Sequence, residues 1–316
     1  MSKAIVCQKK DVGRFFAINE VDPQKLSHGQ VLIKNTVIGL NDDDFLCDNG
    51  VIPGYAAAGE IEEVGVGVKG FYKGDSIVYM SCNAGSFSEY TVVDVDSIVA
   101  LPDEIYQKSA AAVYYPGLVA HTLLKRVYVV RPKTIVLIHD VTSSVGYILS
   151  QLASEAGALV VGSIDDDIKK DFALKNGCHK VVNYTSENWD KEVMDITKNF
   201  GVNIVYDNLG EVTFQKSLNS LTKMGIMSCY GDVYKGMKSI DIKDIASKSL
   251  YITFPSVFDY KKNRMELILS ANDIFDLISS NKLKINIDSE YNMDQVEEAH
   301  KKISTHDYIG SLIMNI

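Results

Sequence analysis

Residues 134–167 read TIVLIHDVTSSVGYILSQLASEAGALVVGSIDDD, and this stretch restricts the fold more than any other part of the chain. Ile135 to Ile138 is a short continuous apolar run, the pattern of a strand buried on both faces. Val145, Ile148, Leu149, Leu152 and Ala156 follow at helical spacing, and Gly157 stands where such a helix would end. Leu159 to Ile164 is a second apolar run, closed by Asp165, Asp166 and Asp167. A strand, loop, helix and strand within about thirty residues has the size of a parallel crossover. A helix that starts directly after a buried strand points free backbone N–H groups, and the positive end of its dipole, at any anion placed there.

The loop is an imperfect dinucleotide fingerprint. The G-x-G-x-x-G form uses its glycines for a tight turn and for close approach to a pyrophosphate. Here Val145-Gly146 keeps the last part, while Thr142, Ser143 and Ser144 stand where glycine or small residues are expected. Serine still fits, and its hydroxyl can donate to a phosphate oxygen. Methyltransferases that bind adenosyl-methionine open with a similar unit, so the unit alone leaves the ligand open.

A chain of 316 residues with 46% hydrophobic content can bury a large core and should form two domains. Its formal charge of −9, with no long basic run, argues against nucleic acid as a partner. No apolar run reaches the ~18 residues of a membrane span, and MSKAIVCQKK has no secretory apolar region. Cys7, Cys47, Cys82, Cys178 and Cys229 are scattered and odd in number, which implies neither disulfides nor a structural zinc. A cytoplasmic protein is expected.

Up to about Leu101 the chain is β-rich, with apolar or alternating runs between Gly and Asp turns. From about Asp103 to Pro255 it alternates strand and helix, with strands at 181–184, 203–210, 225–231 and 250–255. A helical pattern at 265–280 and a final strand, SLIMNI, close the sequence. Gly65, Gly67 and Gly70 resemble a phosphate loop but lie between two strands with no helix after them, so they are read as a turn.

That glycine turn joins IGLN (38–41), AAGEIEEVG (57–65), FSEYTVV (87–93) and SAAAVYYPGLVAHTLL (109–124) in a recognisable order. Together with VVNYTSENW, NIVYDNLG, LYITFPS and GSLIMNI, the string resembles the zinc-independent quinone oxidoreductases, the zeta-crystallin-like branch of the medium-chain dehydrogenase/reductase superfamily. The resemblance implies an α/β protein: a GroES-like β-rich catalytic domain plus a Rossmann domain with a doubly wound parallel sheet. Its expected boundaries are residues 1–114, then 115–256 for nucleotide binding, then 257–316 returning to the catalytic domain.

It also implies NADPH as cofactor and a site, position by position. Ser143, Ser144, Val145 and Gly146 would lie under the pyrophosphate, and Ser163 to Asp165 beside the adenosine ribose. Lys169 and Tyr184 match residues near the 2′-phosphate. Asn208, Leu209, Tyr230 and Gly231 would line the nicotinamide side. Asn41 matches the active-site asparagine, able to contact cofactor or acceptor, with Tyr55 as a second polar contact, and His306 falls near the cofactor. Plainer roles compete: Lys169 suits a solvated helix face, Tyr184 and Tyr230 suit packing, and Asn41, opening the run Asn41-Asp42-Asp43-Asp44, suits a helix cap. For His121 and His306 a structural role competes with direct function, and His139, ending a buried strand, reads as a hydrogen-bonded interior residue.

Several positions depart from the branch. Alanine replaces a glutamate within Ala56–Ala58, the connection from Gly50 to Gly54 is short, Leu46 replaces an aromatic, Pro116 and Val119 replace lysine and threonine, and Phe254 takes a basic position. The zinc alcohol dehydrogenases carry Cys, His and a four-Cys lobe where this chain has Asn41, Tyr55-Ala56 and no lobe, so no metal is expected and alcohol oxidation is disfavoured. The expected activity is metal-free hydride transfer from NADPH to a quinone in an interdomain cleft. Reduction of an enone or enal is the first alternative, and a non-catalytic NAD(P)H sensor or scaffold the second. A homodimer through the edge strand near 249–255 is expected. Lys169 favours NADPH, whereas an acidic residue closing the second strand selects NADH. The usual NAD-selecting position is Ile164, so Asp165, one residue on, need not point at the ribose, giving an expected NADPH preference weaker than in the branch at large.

Overall fold

The computed structural model describes residues 1–10, 13–22, 25–231 and 239–316. These form two compact units. One comprises Met1–Pro116, Lys261–Asn281 and Ile285–Ile316, and the other Gly117–Tyr260 with Lys282–Lys284.

The first unit begins with β1 (Ser2–Lys10) and β2 (Gly13–Val21), an antiparallel pair. It continues through β3 (Gln30–Leu40), β4 (Ala56–Val64), β5 (Ser76–Met80), β6 (Tyr90–Asp94) and β7 (Ile98–Ala100) to helix α1 (Gln107–Thr122). Val31, Ile33, Asn35 and Val37 of β3 turn inward at alternate positions, the period-two pattern of a half-covered strand. From Val37 to Leu40 every residue is buried. At Gly39 the Ala111 carbonyl of α1 comes within 2.2 Å of where a Cβ would stand. Asn35, 3% exposed, has its amide shared among Ser86, Ser88, Thr91 and the Tyr79 hydroxyl. That set satisfies a polar group that would otherwise be costly in a core of Ile33, Ile61, Ile77 and Phe87.

The second unit carries β8 (Ile135–Ile138), α2 (Ser144–Glu155), β9 (Leu159–Ile164), α3 (Lys170–Lys175), β10 (Lys180–Asn183) and α4 (Trp189–Ile196). After these come β11 (Val202–Asp207), α5 (Phe214–Ser220), β12 (Leu221–Cys229), α6 (Ile242–Lys248) and β13 (Tyr251–Thr253). Its six strands run in the order β10-β9-β8-β11-β12-β13, every pair parallel. This is the doubly wound order, and β8 and β11 flank the switch point where chain direction across the sheet reverses. The expected crossover is present at its expected strand bounds, although α2 is more enclosed than its periodicity suggests. Tyr147, Ile148, Leu149 and Ala153 are fully buried, while Val145, Leu152 and Ala156 are only half-buried.

The chain then returns to the first unit with α7 (Arg264–Ser279), β14 (Ile287–Asn292), α8 (Val296–Ser304) and β15 (Ser311–Asn315). The order β14-β15-β3-β4-β5-β7, with β6 also pairing β3, completes a seven-stranded sheet built from both ends of the sequence.

Candidate functional site

In the second unit the candidate residues gather at the C-terminal ends of the parallel strands, the edge where open α/β sheets bind ligands. Ser143 caps α2: its Oγ accepts the Gly146 N–H at 3.3 Å and donates to the Asp140 carbonyl at 2.8 Å. Gly146 has to be glycine, because a Cβ would stand 2.1 Å from the Asp140 oxygen. Ser143, Ser144 and Gly146 are buried and Val145 half-buried at this capped helix start, which stands hard against the end of β8 with the polarity that suits an anion.

Across the switch point, the turn after β11 is held by Asp207. Its fully buried carboxylate accepts the Leu209 and Gly210 N–H groups at 2.8 and 2.9 Å and the Thr213 hydroxyl at 2.7 Å. Asn208 donates from Nδ2 to Asp140 at 3.4 Å, and its Oδ1 is buried without a hydrogen-bond partner. Tyr230 is buried at the end of β12 with its N–H on the Asp207 carbonyl, and Gly231 follows it at the surface.

Past β9, Asp165 and Lys169 find each other. Lys169 Nζ lies 2.8 and 3.0 Å from the two Asp165 oxygens, and Lys169 is buried rather than on a solvated face. Asp165 thus turns its carboxylate to Lys169. Tyr184 is half-buried, its N–H on the Ile164 carbonyl, and burial followed by the charges of Asp140 and Asp165 pushes its hydroxyl well above the ordinary value. Ser163, next to last in β9, is fully buried and bonded to His139 Nδ1 at 2.7 Å, so its hydroxyl is already engaged inside the unit. His139, also fully buried, reaches Ser217 through Nε2 at 2.8 Å and packs edge-on against Trp189. Burial lowers its pKa against the charges of Asp207 and Asp140, which favours the neutral imidazole.

In the first unit, Asn41 follows β3 and caps a short 3-10 turn, Asp42–Phe45. Tyr55 immediately precedes β4. Because β3 and β4 are antiparallel neighbours, the end of one meets the start of the other, with Ile38 opposite Ala57. Gly54 makes the approach possible: its φ is +86°, and a Cβ there would collide with Ser86 and Phe87. Asp44 joins the two candidates, accepting the Asn41 N–H at 2.8 Å and the Tyr55 N–H at 3.0 Å. On α1, Tyr115 donates its hydroxyl to Asp43 at 2.7 Å. His306 lies exposed just past α8, with φ +51° and its N–H on the Ile303 carbonyl.

Sequence reasoning passed over Asp44, Asp140 and Asp207. Asp140 sits at φ +48°, a conformation that glycine adopts freely in the fingerprint loop, and an aspartate directly after a buried strand was its only signal. Among the described residues, no group of three or more His, Cys, Asp or Glu is arranged to hold a metal, and no helix is long and apolar enough to cross a membrane.

Comparison with known proteins gives a consistent result. Residues 144–270 match the family model described as zinc-binding dehydrogenase, and residues 27–103 the alcohol dehydrogenase GroES-like domain. The chain is 30% identical over 306 residues to quinone oxidoreductase 1 of Escherichia coli (strain K12), covering 93% of this chain and 94% of that protein. It is 29% identical over 329 residues to the 2-haloacrylate reductase of a Burkholderia species, covering 99% of each. The crystal structure of Escherichia coli quinone oxidoreductase complexed with NADPH superposes with a TM-score of 0.93 at 28% identity, covering both chains completely.

Proposed function

Since the chain belongs to the zinc-independent quinone oxidoreductase branch of the medium-chain dehydrogenase/reductase superfamily, we propose that it is an NADPH-dependent oxidoreductase that reduces a quinone without a metal. The observation that carries this reading is the switch point between β8 and β11. A capped helix start, a glycine with no room for a side chain, and the unpaired Asn208 Oδ1 stand there together. These fit a dinucleotide: an anion at the helix start, and an amide donor for Asn208.

Ser143, Ser144, Val145 and Gly146 would hold the pyrophosphate, Lys169 and Tyr184 the 2′-phosphate, and Asn208, Leu209, Tyr230 and Gly231 the nicotinamide end, with His306 a further cofactor contact. When bound, NADPH supplies a hydride, two electrons with one proton. Asn41 and Tyr55 orient the acceptor oxygen, whose developing charge the Asn41 amide stabilises by donating to it. The oxyanion left on the quinone takes a proton from water, since no acid is required for so electron-poor an acceptor. Ser163 is assigned a structural part through His139. Reduction of an activated alkene is the second reading, favoured by the similarity to a 2-haloacrylate reductase. We also propose a cytoplasmic homodimer; the place of β13 at the end of its sheet, with Tyr251 exposed, supports pairing there.

The test is NADPH oxidation with 1,4-benzoquinone and 9,10-phenanthrenequinone, and with simple enones. Turnover of quinones supports the assignment. Tight NADPH binding with no turnover of either class would leave a binding protein.

A further inference from the structure

Asp44, a buried carboxyl group, touches both candidate acceptor residues. It is 2% exposed. Its Oδ2 accepts the Asn41 N–H at 2.8 Å, its Oδ1 the Tyr55 N–H at 3.0 Å, and Asn41 Nδ2 lies 3.4 Å from Oδ2. An ionised carboxylate only accepts, so both oxygens match both N–H groups. A protonated one carries an O–H and accepts less well on that side. Burial that deep makes a released N–H costly unless the turn opens to water.

We propose that Asp44 is the positioning residue of the acceptor site: ionised, it clamps Asn41 at the end of β3 to Tyr55 at the start of β4, and protonation releases the clamp. The proposal rests on Asn41 and Tyr55 meeting the acceptor, as above. Burial pushes the Asp44 carboxyl up to about 7 against the pull of the Asn41 and Tyr55 N–H groups, and the charge of Asp43 adds to the rise. The other titratable groups facing it are Tyr55, Tyr79 on β5 and Tyr115 on α1. Burial raises all three hydroxyls, so they stay neutral while Asp44 titrates. A buried carboxylate at a candidate site, titrating near neutrality, is the kind of group that links pH to activity.

The test follows pH from 6 to 8 in the full-length protein and in Asp44→Asn and Asp44→Glu. For wild type, kcat/KM for 1,4-benzoquinone should rise about tenfold along one ionisation near 7, while the Kd for NADPH moves less than about twofold. Asp44→Asn should lie flat at the low limb, and Asp44→Glu should recover part of the rise. Amide hydrogen exchange reads the clamp directly. The protection factors of the Asn41 and Tyr55 N–H groups should fall about tenfold on going to pH 6, and should be low in Asp44→Asn at both pH values. Retention of the wild-type pH limb by Asp44→Asn, or unchanged protection at Asn41 and Tyr55, overturns the clamp. If no acceptor is reduced at any pH while the protection still changes, the functional reading fails and the clamp stands.

Discussion

Removing the Asp165 charge should sharpen the preference for NADPH over NADH. Lys169, the expected partner of a 2′-phosphate, already holds both Asp165 oxygens at 2.8 and 3.0 Å. A phosphate that reaches Lys169 therefore shares it with a carboxylate on the other side of the ammonium group. Two such anions about 5 Å apart repel by about 3 kcal/mol per charge pair at an effective dielectric of ~20. The Asp165 side chain is 33% exposed, so screening halves this to about 1.5 kcal/mol. Asp165→Asn should accordingly raise the NADPH/NADH ratio of affinities about tenfold, with NADH, which has no 2′-phosphate, almost unmoved. Lys169→Ala should abolish most of the preference. The assay is cofactor fluorescence titration of both variants with both cofactors at low and high salt. The gain should shrink in salt. A ratio unchanged within about twofold in Asp165→Asn, or a ratio that falls, would refute the geometry on which the estimate depends.

Other consequences are as direct. The short 50–54 connection and Leu46 remove bulk beside the Asn41 turn, so phenanthrenequinone and naphthoquinone should be reduced at least as well as benzoquinone; a strong preference for the smallest acceptor, seen in kcat/KM across the three, would contradict this. Asp44 has its folded pKa near 7, above the unfolded 3.8, so the folded state holds its proton more tightly and stability falls as pH rises through that window. Urea unfolding should show wild type losing up to about 4 kcal/mol relative to Asp44→Asn between pH 4 and 8, and parallel curves would exclude it. His139→Ala leaves Ser163 and Ser217 without their shared partner inside the sheet and should cost about 2–4 kcal/mol by thermal unfolding. Burial lowers the His139 pKa, so its own contribution is lost as pH falls below the unfolded value, and a variant as stable as wild type would show the network to be idle.

The β8–α2–β9 crossover was legible because buried parallel strands read as unbroken apolar runs and the helix between them carries its own period. His139 at the end of such a run was legible as an interior residue for the same reason. What the sequence hid depends on contacts that adjacency in the chain does not reveal. The bond from Asp44 to Tyr55 exists only because antiparallel pairing of β3 with β4 folds residue 55 back onto residue 44. Tyr115 meets Asp43 across 72 positions. Ser163 looked like part of a strand end, yet alternation along β9 turns its hydroxyl inward to His139. Lys169 and Asp165 are four apart, a helical spacing visible in the sequence. Spacing does not show whether such a pair closes on itself; the burial of Lys169 does.

Metal-free, NADPH-linked quinone turnover is the central claim, and one experiment meets it most directly. Purified protein is analysed for zinc and assayed for NADPH oxidation by 9,10-phenanthrenequinone before and after exhaustive treatment with chelator. The account predicts no stoichiometric zinc and full turnover throughout. About one tightly bound zinc per chain, lost together with activity, would contradict it.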